Sequence, residues 1–231
     1  MPERKSAPRP VQPVEDPVLC SPYEEPNRYW LYDNEGVPRL MPGRRPAGYW
    51  YKTVRTGKIQ EDLFREEQRD DLPLVNALRD DVKRWRESNY RGASKVTVNL
   101  LLHWRRADAP RRLFFCQAEA VETLIYLMEI RIPGRSARSG FQKFALSDSD
   151  LKALLEGEET RELPPTSISP CLVDRSDDGD LLPLLRLGCK MATGSGKTLV
   201  MAMLICWAFC NRRFNPETRD YPSAVLICCP S

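Results

Sequence analysis

Apolar positions recur at helical spacing through the middle of the chain. Leu74, Leu78, Val82 and Trp85 fall at i, i+4, i+8 and i+11 with charges between them, which predicts a helix over 61–90. The same periodicity predicts a second helix over Thr97–Arg106, with Leu100, Leu101 and Trp104 inward. A third covers Gln117–Ile130, its stripe made of Ala120, Val121, Leu124, Ile125 and Met128. Towards the end the pattern changes. Leu184–Cys189 is a short apolar run, Leu199–Cys210 is apolar on every face, and Ala224–Pro230 is a second short run. That order predicts strand, helix, strand: a βαβ unit with buried parallel strands and a right-handed crossover. The fold class expected is α/β, with a mainly helical N-terminal region ahead of a parallel sheet.

The remaining segments lack a clear period. Residues 1–26 are rich in proline and read as an irregular arm. Residues 27–60 carry Tyr29-Trp30-Leu31-Tyr32 and Tyr49-Trp50-Tyr51 around Asp33-Asn34-Glu35-Gly36, which suggests short strands or a packed loop module. Aromatics beside Arg44, Arg45 and Arg55 can stack bases, although packing against a neighbouring domain explains them more simply. From 131 to about 180 the pattern breaks into Gly134–Gly140, Leu163–Ser167 and the acidic Asp174–Asp180, with one helix near Asp150–Gly157; we expect a surface insertion. Asp150-Leu151-Lys152 matches the Asp-x-Lys fragment of one nuclease site type, but Ser147 and Asp150 at i, i+3 are equally a helix capping box.

Composition narrows the class. The 231 residues suffice for one or two domains, and a net charge of +3 makes no global case for nucleic acid. Of the 35 basic residues 26 are Arg; Arg is the better fork for phosphates and carboxylates, but biased genomic composition is the plainer account. The eight Cys residues include no C-x-x-C pair and the chain has a single His103, so a zinc site is not expected. Free thiols in apolar segments fit a reducing cytoplasm. No apolar run reaches membrane-spanning length.

The candidate chemistry sits at Met191-Ala192-Thr193-Gly194-Ser195-Gly196-Lys197-Thr198, and 33 residues follow it. Phosphate oxygens can be held by successive backbone N–H groups, by a Lys ammonium and by a hydroxyl that also holds Mg²⁺. Gly194 and Gly196 permit the close backbone approach, Lys197 supplies the charge, and Thr198 the metal ligand. A helix starting here directs its open donors and positive end at the anion. Met191 stands where the strict G-x-x-x-x-G-K-[ST] pattern has Gly. The cofactors expected are ATP and Mg²⁺.

Lys190–Thr198 resembles motif I of superfamily 2 helicases and is closest to the type III restriction-enzyme branch. Leu113-Phe114-Phe115-Cys116-Gln117 with Glu119–Thr123 resembles the upstream Q motif, and the run ending at Cys229-Pro230 resembles the start of motif Ia. Pro22–Pro26 with Gly43–Pro46 is similar to the leader of a restriction-endonuclease-like helicase family. The resemblance implies an incomplete RecA-like ATP-binding domain over 111–231, after an N-terminal region over 27–110. It implies nucleotide contacts from Gln117 (to adenine), Thr193, Gly194, Ser195, Gly196, Lys197 and Thr198, with Lys197 and Thr198 in phosphoryl transfer. DNA is the implied partner of the complete protein, together with a methyltransferase or other restriction–modification subunit.

Two departures qualify this. Gln117 precedes Lys197 by 80 residues, more than is usual for a Q motif, so the segment between must loop out. No Asp-Glu box follows Thr198. We therefore expect the N-terminal part of an ATP-dependent DNA helicase or translocase, with negligible turnover by this chain alone. A small-molecule kinase is disfavoured because some 190 residues precede the loop and few follow. The other reading is a non-catalytic module that binds DNA or protein.

Overall fold

Two prolines sit in a strand at no cost because of its register. In the computed structural model, residues 12–33, 36–52, 67–131, 145–156, 187–218 and 221–228 are described. Strand β1 (Arg28–Tyr32) pairs antiparallel with β2 (Pro38–Pro42), Arg28 opposite Pro42 and Tyr32 opposite Pro38. Gly43 N donates to Asn27 O and Asp33 N to Val37 O in the same register, so odd-numbered β1 residues make the hydrogen-bonded pairs. Both prolines fall at the alternate, non-bonded positions, where the missing N–H loses nothing. Asp33 closes the hairpin, its carboxylate accepting from Val37 N at 3.0 Å and pairing with Arg39. A second antiparallel pair joins β3 (Gly48–Lys52) to β4 (Glu67–Asp71). Both pairs belong to one compact unit that runs through Pro73; the helices and the glycine-rich loop form the other, from Leu74.

The helix predicted over 61–90 is shorter than expected. Glu67–Asp71 is extended, and α1 spans Pro73–Glu87. Pro73 explains the start: its fixed φ suits the first helical position, and its absent N–H is one that a helix start leaves unbonded anyway. Leu78, Val82 and Trp85 are buried as the stripe predicted, and Leu74 packs partly against them. The next helices, α2 (Lys95–Trp104) and α3 (Phe115–Ile125), lie close to their predicted positions. Ser94 starts α2, its hydroxyl accepting from Thr97 N at 3.0 Å. After α3 the chain widens into a π-helical turn, Tyr126–Ile130, in which Tyr126, Leu127, Glu129 and Ile130 are all buried.

Helix α4 (Asp148–Glu156) begins at a reciprocal box: Asp150 N donates to Ser147 Oγ, and Ser147 N to Asp150 Oδ2, each at 3.1 Å. The hydroxyl of Ser147 holds the Asp150 carboxyl below its usual range. Capping thus accounts for Asp150 without a nuclease role. Residues 145–156 are not a surface insertion, since Leu146 and Leu151 are buried in the same core as α1. The basic loop at 134–140 and the stretches 163–167 and 174–180 lie outside the described residues.

Helix α5 (Lys197–Phe214) packs against α2 and α3 with one face, burying Val200, Met203, Trp207 and Ala208. It is not buried all round: Phe209 and Phe214 are 70% and 72% exposed. No sheet covers that face among the described residues, and both strand pairs that are described are antiparallel. Of the two strands expected to flank α5, residues 187–189 and 224–228 form no strand, and 184–186, 229 and 230 lie outside the described residues. The fold is thus mixed α/β, its core helical. No described helix is long and apolar enough to cross a membrane.

Candidate functional site

The glycine-rich loop leads straight into α5. Gly196 is the N-cap, with φ +83°, and Gly194 has φ +77°. Both lie in the left-handed region that a Cβ disfavours, as the pattern predicted. The carbonyl of Ala192 gathers the loop: Ser195 Oγ donates to it at 2.6 Å, Ser195 N at 3.3 Å and Lys197 Nζ at 3.0 Å. Ala192 was not legible as a site residue, because its contribution is a main-chain oxygen that any side chain would leave in place. Met191, the departure from the strict pattern, packs partly against the hydrophobic core and so fixes the entry to the loop.

The loop's donors are open. Among the described residues, the backbone N–H groups of Gly194, Gly196, Lys197 and Thr198 have no acceptor, whereas Leu199 N and Val200 N bond to Gly196 O. Thr193, Lys197 and Thr198 are exposed, and a Cβ on Gly194 would meet open space. Four unbonded N–H groups, a helix N-terminus and an ammonium facing solvent together make an anion cradle. The residues present therefore fit a polyphosphate. No described group of three or more His, Cys, Asp or Glu side chains could hold a metal by itself. A divalent ion here would have to be held between Thr198 and the phosphate.

Gln117 reaches this loop across 78 residues of sequence. Its Nε2 donates to Ser195 O at 2.9 Å, while its Oε1 accepts from Phe114 N at 3.0 Å. The second bond closes the first turn of α3, so the capping and nucleotide-site readings of Gln117 meet in one side chain. An amide has two donors and two acceptor positions, and these two bonds use one of each. Contact is close: a Cβ on Gly196 would overlap Gln117 Nε2. A side chain at 196 would thus displace the Gln117 amide as well as strain φ.

Behind α3 lies a polar cluster that sequence reasoning missed. Glu122 is buried and accepts from Arg86 Nη2 at 2.7 Å, from Tyr90 Oη at 2.6 Å and from Arg105. Both guanidinium groups also lie over the Phe115 ring, 5.5 and 6.0 Å from its centre. Burial and then the Glu122 carboxylate push the Tyr90 hydroxyl far above its usual value. Glu129, buried in the π turn, accepts from Thr97 Oγ1 at 2.7 Å, Ser94 N and Trp207 Nε1. Asp81 accepts from the backbone of Ala145 and Leu146 and from Arg84 at 2.8 Å, with Arg131 at 3.7 Å. These carboxylates are fully used in holding helices together. His103 is exposed on α2, away from any described metal cluster.

No family model matches the chain, and neither a curated protein nor a solved structure matches it.

Proposed function

We propose that this chain binds Mg·ATP through Thr193–Thr198 and supplies the nucleotide loop of an ATP-dependent DNA helicase or translocase of restriction-endonuclease type. The observation that carries the nucleotide reading is the set of four N–H groups at the start of α5 that have no acceptor among the described residues, with Gln117 tied to the same loop. Lys197 leaves the Ala192 carbonyl to reach the β/γ-phosphates, and Thr198 holds the ion. Bound Mg²⁺ supplies charge neutralisation for phosphoryl transfer. The helicase assignment draws its support from the likeness of Lys190–Thr198 and Leu113–Thr123 to the motor motifs.

The finer architecture we propose is RecA-like, with Ala224–Pro230 taking a place in a parallel sheet beside the strand that enters the loop. In its favour, Val225, Leu226 and Ile227 are apolar and 52%, 87% and 53% exposed, an arrangement that calls for a covering neighbour. A metal-positioning acidic box is not among these 231 residues, so the chain alone is expected to bind nucleotide with negligible hydrolysis.

Titration of a fluorescent ATP analogue with Mg²⁺ tests the reading. Lys197→Ala should weaken binding by about tenfold or more, the loss of one charge-assisted contact. The circular dichroism spectrum and thermal transition should stay unchanged, since Lys197 is exposed. Equal affinity of the two folded proteins would remove the cradle from consideration.

A further inference from the structure

The outer edge of β1 is a row of open hydrogen-bonding groups facing a cleft. Because the odd-numbered residues pair with β2, the N–H and C=O groups of Arg28, Trp30 and Tyr32 point the other way. Of these, only Arg28 O has a partner among the described residues, the thiol of Cys20 at 3.5 Å. An exposed edge of this kind is normally paired, covered or made awkward. Here residues 12–20 run along it, but as a strap and not as a strand. Gln12 N donates to Gly36 O, Trp30 Nε1 to Asp16 O and Arg28 Nε to Leu19 O, each within 3.0–3.1 Å. No backbone ladder forms between them. Strap and edge enclose a cleft of about 450 Å³, walled by Val14 and Pro17 on one side, with Arg28, Trp30 and Tyr32 on the other.

We propose that this cleft takes an extended acidic peptide segment of a partner protein as an added strand against β1. Two observations choose the occupant. Donors and acceptors alternate along the edge, so a ligand must offer both in return; a polypeptide does, whereas a nucleic-acid backbone offers acceptors alone. The charged residues lining the cleft are Arg28 and Arg45, with no carboxylate among the lining residues, and Arg45 has no hydrogen-bond or ion-pair partner among the described residues. Acidic side chains on the incoming strand meet both. Pro17, lacking an N–H, keeps the strap itself from closing the ladder. The site is independent of the nucleotide loop, which belongs to the other unit.

Fluorescence polarisation of the full chain with a fluorescein-labelled (Glu-Val)₃ peptide tests this. Binding is expected, with (Lys-Val)₃ weaker by about tenfold or more. Methylating the peptide nitrogens on alternate residues should abolish binding in one phase of the alternation and spare it in the other, because only one edge of the ligand faces β1. Arg45→Glu should reverse the charge preference. Tyr32→Pro, which removes an outward N–H at a position that pairs with Pro38, should weaken binding while the hairpin persists by circular dichroism. The proposal is overturned if (Glu-Val)₃ fails to bind, if (Lys-Val)₃ or a dT12 oligonucleotide binds as well, if both methylation phases bind alike, or if the chain self-associates through this edge and excludes the peptide.

Discussion

The buried carboxylates behind α3 and the loop in front of it handle polar groups in opposite ways. Glu122 and Glu129 are almost fully buried, and each accepts from several donors drawn from different helices. At the start of α5 four N–H groups have no acceptor among the described residues, and Lys197 Nζ is held there by a carbonyl. A completed network fixes structure, since removing one member strands the others in a poorly solvated place. An incomplete one at the surface is solvated until a ligand arrives. Polarity alone therefore does not locate a site; the ratio of donors to acceptors does. Gln117 stands on the boundary, bonded at once to the start of α3 and to the loop.

That contrast can be broken most forcefully at Glu122. Glu122→Ala leaves Arg86 and Arg105 facing a void without their carboxylate, and should cost about 3–5 kcal/mol of unfolding free energy, read from denaturant midpoints. A loss under about 1 kcal/mol would mean that the cluster is not the clamp described here. An intermediate effect is expected at Gly196→Ala. Its φ of +83° and the overlap with Gln117 Nε2 disfavour any side chain, at about 1–2 kcal/mol for the backbone alone. Nucleotide affinity should fall with it, and adding Gln117→Ala should recover part of the stability by relieving the overlap. No recovery in the double variant would separate Gln117 from the loop.

At neutral pH the buried tyrosines should show no effect, and alkaline pH brings it out. Burial raises the Tyr90 and Tyr126 hydroxyls above the ordinary 10.0, helped at Tyr90 by Glu122 and at Tyr126 by Asp81. A hydroxyl so raised contributes stability that is complete below pH 10 and is lost as pH climbs towards its folded value. Tyrosinate absorbance should then show two of the tyrosines ionising only with global unfolding. Ionisation of all of them near pH 10 in folded protein would contradict the burial.

The helical core was legible because its signal is local. Leu78, Val82 and Trp85 repeat at the spacing of one helix face, and the same holds for Val121 and Ile125. Glu67–Asp71 was not legible: its charged residues carry no apolar alternation, so it reads as the start of the neighbouring helix although it pairs with Gly48–Lys52. The loop's glycines announced their φ, yet the Gln117–Ser195 contact depends on how α3 and α5 cross, which no window of sequence contains. The three carboxylates failed for a related reason. Each looks like an ordinary solvated charge until donors from distant segments converge on it.

The π turn at Tyr126–Ile130 gives this part of the chain room to lose a residue. It holds one residue more than regular winding would need, and Arg131 N closes it on Tyr126 O at 2.9 Å. Deleting Met128 should let the turn rewind as α-helix, since four residues at about 100° each sweep nearly the angle that the five sweep here. Glu129 and Arg131 would then keep their directions towards Thr97 and Asp81. A deletion within the regular part of α3 would instead turn both away, by roughly 100°.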